Sequence, residues 1–184
     1  MYKRLFLLFL IIGLSSCGSL KPRVQKPSAG PKIEHEVLAD QNLSVEADNS
    51  TKHASKGLEK KADQALEDFI NDWYGVPHRM GGMSKNGVDC SGFVIIAYEE
   101  IFERDFKGRR AQDLFAEMEA VREKNLKHGD LVFFKVKGRR IDHVGIYLED
   151  QKFAHTSSSR GVMISSLTNP YWQKRFFRGA RYKD

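Results

Sequence analysis

The chain has 184 residues, 41% of them hydrophobic and 11% aromatic, with 30 Lys and Arg against 24 Asp and Glu for a formal net charge of +6. That length, less a polar N-terminal stretch, holds one modest domain around a single core. The basic excess is spread thinly, without a basic block or interleaved aromatic and basic residues, so it speaks against nucleic-acid binding and for general attraction to anionic lipid or polymer.

At the N-terminus, Lys3 and Arg4 precede an apolar run over 5–14 that is too short to span a bilayer. The run closes on Leu14-Ser15-Ser16-Cys17, which resembles the lipobox of bacterial lipoproteins. That resemblance implies a signal peptide over 1–16, lipidation of Cys17 and an anchored mature chain, since each buried acyl methylene contributes about 0.8 kcal/mol. Gly18 and Ser19 lack an aspartate, which by the same resemblance favours the outer membrane and a cell-envelope location facing the periplasm. Residues 17–57, with Pro22, Pro27 and Pro31 and few large apolar side chains, read as a flexible linker, leaving 58–184 as the folded domain.

In that domain Leu58, Ala62, Ala65, Leu66, Phe69, Ile70 and Trp73 recur at helical spacing and predict a first helix over 58–73, stopped by Gly75 and Pro77. A second, largely buried helix is predicted over 90–102, where Phe93, Val94, Ile95, Ile96 and Ala97 are consecutive, and a third over 111–121. Short β-branched or aromatic runs then follow over 130–136, 143–148, 152–156, 162–165 and 176–182. Helices first and strands afterwards predict an α+β domain, with N-terminal helices packed on a small antiparallel sheet of about five strands.

Cys17 and Cys90 are the two cysteines, and a disulfide between them is the plain alternative to separate chemistry. Cys90 stands at the expected start of the buried second helix, where free N–H groups and the helix dipole favour a thiolate nucleophile and offer an oxyanion site. Asp89 and Ser91 flank it as helix-capping and pocket-wall residues. A thiolate needs a proton donor for its leaving group, and His143 supplies one at a strand start. His155, twelve residues on and beyond a turn, returns to the same end of a hairpin and is placed to orient His143. Cys90, His143, His155 and His78 match no short ligand spacing, so neither a metal nor another cofactor is expected.

Asp89-Cys90-Ser91-Gly92-Phe93, Gly129-Asp130-Leu131-Val132-Phe133-Phe134, His143-Val144-Gly145-Ile146-Tyr147 and the later His155 together resemble the NlpC family of cell-wall endopeptidases. The resemblance implies a papain-like fold, a cysteine peptidase with Cys90 as nucleophile, His143 as general base and acid and His155 as third member, and hydrolysis of peptidoglycan stem peptides. Asp89 and Ser91, as pocket-wall residues, are expected to contact substrate, and so is His78, which stands where many members of the family carry a tyrosine before Arg-x-Gly-Gly. Asp130 reads as structural, and Tyr171 and Trp172 as packing or pocket-rim residues. A wall-binding scaffold with an idle triad, or amide hydrolysis on another substrate, are the alternatives; adaptors and regulators are left open.

Overall fold

The computed structural model describes residues 46–183, with side chains from Ser55 onward. Cys17 and residues 1–45 lie outside the described residues. Helix α1 (Glu46–Trp73) begins well before residue 58, inside the stretch read as linker. The early turns of α1 bury nothing between Ser55 and Lys61, and Leu58 is 68% exposed. The last two turns carry the packing face: Leu66, Phe69, Ile70 and Trp73, at helical spacing, are buried. Gly75, at φ 81°, ends the helix, and its N–H bonds the Val162 carbonyl at 2.9 Å.

A two-stranded ribbon, β1 (Met83–Ser84) and β2 (Gly87–Val88), leads into helix α2 (Cys90–Phe102). Phe93, Val94 and Ala97 on α2 are fully buried, each large side chain contributing about 2 kcal/mol relative to exposure. Then come α3 (Ala111–Ala116), β3 (Met118–Val121), β4 (Leu131–Phe134), β5 (His143–Tyr147), β6 (Lys152–Ser157), β7 (Gly161–Ser166), α4 (Pro170–Gln173) and β8 (Phe176–Tyr182). The sheet runs β3-β8-β4-β5-β6-β7 with every neighbour antiparallel.

The α+β architecture is as expected, but the sheet has six strands rather than five. The sixth is β3, from residues expected to finish the third helix. Met-Glu-Ala is helix-compatible, yet Met118 pairs with Tyr182 and Val121 with Gly179 along β8, and that ladder outweighs local propensity.

Alternation along the strands builds two cores. Leu131 and Phe133 of β4 and Val144 and Ile146 of β5 face α1 and α2. Val132, Phe134, Tyr147 and Phe153 point to the opposite face, where Leu167 and the α4 side chain Trp172 cover them. β4 is thus buried on both faces, which is why its sequence is an unbroken apolar run.

Candidate active site

Asp89 is the N-cap of α2. Its Oδ1 accepts from the Gly92 N–H at 2.7 Å and the Ser91 hydroxyl at 3.0 Å, and its Oδ2 accepts from the Gly81 N–H at 2.7 Å. These bonds hold the first turn of α2 against the 81–82 loop. The contact is so close that a Cβ on Gly92 would lie 2.4 Å from the Gly82 carbonyl oxygen, which is the reason for glycine here. Cys90, the first residue of α2, is half-buried, and the Thr156 hydroxyl ties β6 to the cap by donating to the Asp89 carbonyl at 3.4 Å.

His143 opens β5 and His155 sits in β6, 1% exposed. The strands pair at Ile146↔Ala154 and Tyr147↔Phe153, which returns the two histidines to the same end of the hairpin. Their rings meet nearly edge to face, with His143 Nε2 3.0 Å from His155 Nδ1. Gly145 makes room, since a Cβ there would lie 2.7 Å from the Ala154 carbonyl oxygen and 3.2 Å from the His155 Cβ. His155 Nε2 in turn lies 2.9 Å from the Ser165 hydroxyl of β7. Trp172 stacks on His143 at 5.1 Å and 19° and meets His155 edge-on at 4.8 Å.

Cys90, His143, His155, His78, Asp89 and Ser91 all line one cavity of about 770 Å³, together with Ser165, Tyr171 and Trp172. The structure therefore gathers every site residue nominated in the folded domain. Asp130 lies elsewhere, 3% exposed, accepting from Arg181 Nε and Nη2 at 2.7 Å each, a structural clasp between the start of β4 and β8.

Charge in the cavity is governed by burial. Burial pushes the Cys90 thiol up to about 11, Asp89 adds to the rise, and the backbone at Val144, Ser91 and Cys90 pulls partly back. The backbone donors at the start of α2 act in the direction expected of a helix N-terminus, and desolvation opposes them. Burial likewise lowers His143 to about 4, with Asp142 opposing and His78 reinforcing. It lowers His155 to about 3, helped by the charge of His143. Burial thus disfavours the charged form of each of the three groups, thiol and imidazoles alike.

The profile described as the NlpC/P60 family matches residues 75–181. The chain belongs to the NlpC/P60 family. The expectation of a cysteine-peptidase enzyme is met by that membership. A protein of Escherichia coli strain K12 named "Probable endopeptidase NlpC" is 43% identical over 117 residues, 63% of this chain and 75% of that protein. The protein of the same strain named "Murein DD-endopeptidase MepS/Murein LD-carboxypeptidase" is 43% identical over 116 residues, covering 63% of this chain and 61% of its own length. A crystal structure from Staphylococcus aureus subsp. aureus Mu50, described as similar to lipoprotein, NLP/P60 family, superposes with a TM-score of 0.60. It is 28% identical and covers 67% of this chain and 42% of that one.

Within this NlpC/P60 site, sequence reasoning missed Ser165. Its place follows from the β6–β7 register, in which Ser165 pairs with Phe153 two residues before His155 and shares its face. The one available signal was its position in a strand after a tight turn, which does not fix a partner.

Proposed function

We propose that this NlpC/P60 chain is a lipid-anchored cysteine endopeptidase that hydrolyses peptidoglycan stem peptides or their crosslinks through Cys90, His143 and His155. The observation that carries the proposal is the 3.0 Å contact of His143 Nε2 with His155 Nδ1 in the cavity that holds Cys90. The names of the relatives, an endopeptidase and a murein DD-endopeptidase, supply the substrate class.

In this reading His143 Nε2–H donates to His155 Nδ1, which leaves His143 Nδ1 as the lone-pair acceptor for the thiol proton. His155 then carries its own proton on Nε2 and donates it to the Ser165 hydroxyl. Proton transfer creates thiolate and imidazolium together, and their attraction offsets part of the burial cost each carries. The thiolate attacks the carbonyl carbon, and the Cys90 N–H at the start of α2 receives the developing oxyanion. His143 returns the proton to the leaving nitrogen as the C–N bond breaks, giving a thioester and a free amine. Water, deprotonated by the same imidazole, then attacks the thioester; the carboxylate leaves and the thiol is restored. The flat face of Trp172 against His143 favours the imidazolium through its π electrons.

Anchoring through Cys17 is part of the proposal, supported by Leu14-Ser15-Ser16-Cys17 and by the apolar run before it. Among the described residues no helix is long and apolar enough to cross a membrane. A Cys17→Ser variant is expected to move from the membrane fraction to the soluble fraction, and unchanged membrane recovery would contradict the anchor.

The enzymatic part is tested by treating the full-length protein with iodoacetamide, mapping the label to Cys90 by peptide mass, and assaying release of new amino groups from purified peptidoglycan. Release should stop when Cys90 is fully alkylated. Undiminished release from alkylated protein would remove Cys90 from the mechanism.

A further inference from the structure

The cavity that holds Cys90 has a charge pattern that the hydrolytic steps do not use. Five cations border it: Arg109 and Arg110 between α2 and α3, Lys137 and Arg140 between β4 and β5, and Arg160 in the turn between β6 and β7. All five are exposed, and none makes an ion pair with a carboxylate among the described residues. The two carboxylates in the wall are otherwise engaged. Asp89 caps α2, and Asp142 accepts from the N–H groups of Val136 and Lys137 at 2.6 and 2.8 Å.

The excess is local to this end of the molecule. A cavity of about 440 Å³ along α1 has Lys60 and Lys152 facing four carboxylates, Asp63, Glu67, Glu149 and Asp150. A cavity of about 830 Å³ beside it likewise has more carboxylates than cations. Three loops far apart in sequence thus converge on the nucleophile with the same sign of charge. The charge of Arg160 reaches His155 and is one cause of its lowered basicity.

We infer that Arg109, Arg140 and Arg160, one from each loop, with Arg110 and Lys137 beside them, form a carboxylate-reading rim that selects peptides bearing several free carboxylates around the scissile amide. The inference rests on the hydrolase reading for which amide is cut, but the rim's preference is a binding property. Guanidinium groups suit this task, because their planar N–H forks pair with carboxylates in two-point fashion. Since the five cations border the same cleft as Cys90, the charge they read belongs to the molecule whose amide is cleaved, not to a separate polymer. Exposed pairs are individually weak, so selection comes from several acting together, and it fades as salt screens them.

The test uses the full-length protein carrying Cys90→Ala, which binds without turnover, and two synthetic stem-type peptides of one sequence. One has its carboxylates free and the other has them amidated. Titration calorimetry at low salt is expected to give a Kd about tenfold lower for the free-carboxylate peptide, with the gap closing at 0.5 M salt. Adding Arg109→Gln, Arg140→Gln and Arg160→Gln together should bring the two peptides to one Kd, with circular dichroism verifying the fold. Equal Kd values for the parent, or a tenfold preference that survives the triple substitution, would overturn the rim. Turnover of either peptide by the protein with Cys90 intact is read separately; its absence counts against the hydrolase and leaves the Kd comparison to decide the rim.

Discussion

The protein places histidines in two contrasting settings. His143 and His155 face each other at 3.0 Å, packed against the rings of Phe134, Phe153 and Trp172, and burial holds both well below the usual histidine range. His128 instead sits between two carboxylates of α1. Its Nε2 is 3.1 Å from Glu67 Oε1, and its Nδ1 is 2.9 Å from Asp63 Oδ1, though not aligned as a hydrogen bond. A ring that meets another ring can pass a proton along a line. A ring that meets carboxylates fastens α1 to the segment before β4. Residue type alone does not distinguish the two uses; the partners do.

Breaking the first setting should have the largest effect. His143→Ala is expected to lower kcat/KM on stem peptides by about 10³-fold, since the general base and acid are lost together, with the circular dichroism spectrum unchanged. His155→Gln keeps an oxygen able to accept from His143 Nε2–H and should cost about 10²-fold, read in the same assay. Retention of full activity by either variant would break the proposed relay.

The buried neutral pair should also be visible in stability. Between pH 6.5 and the lowered folded values, the unfolded chain takes up protons on these histidines and the folded chain does not, so stability falls with pH. From the His155 value of about 3, its share of the loss at pH 4 is about 3 kcal/mol relative to pH 8. Urea unfolding should show this decline, and His155→Gln should flatten it.

Breaking the second setting should have the smallest effect. His128→Gln is expected to lower unfolding stability by about 1 kcal/mol, because the carboxylate partners on α1 are about half exposed. It should leave kcat/KM within about twofold of the parent; a large loss of activity would show that the two settings are coupled.

Much of the site was legible because its parts are local. Asp89 to Phe93 announces a capped, buried helix start, and the spacing from His143 to His155 announces a hairpin whose ends meet. The parts that escaped depend on long-range pairing or on burial. β3 exists because β8 offers an edge to Met118 through Val121, and Ser165 reaches His155 only through the β6–β7 register. The first helix was read short because residues 46–57 carry no apolar stripe, so periodicity gave no sign of the turns that precede Leu58. The helix start that lowers the Cys90 thiol is visible in sequence, whereas the desolvation that raises it is not.

The central claim is that Cys90 cleaves peptide bonds of the cell wall, and mass spectrometry of purified muropeptides incubated with the full-length protein or its Cys90→Ala variant tests it most directly. The account predicts new fragments, each pair summing to the substrate plus one water, with the parent alone. Intact muropeptides with both proteins under reducing conditions across pH 5 to 9, or the same fragments with both, would contradict it.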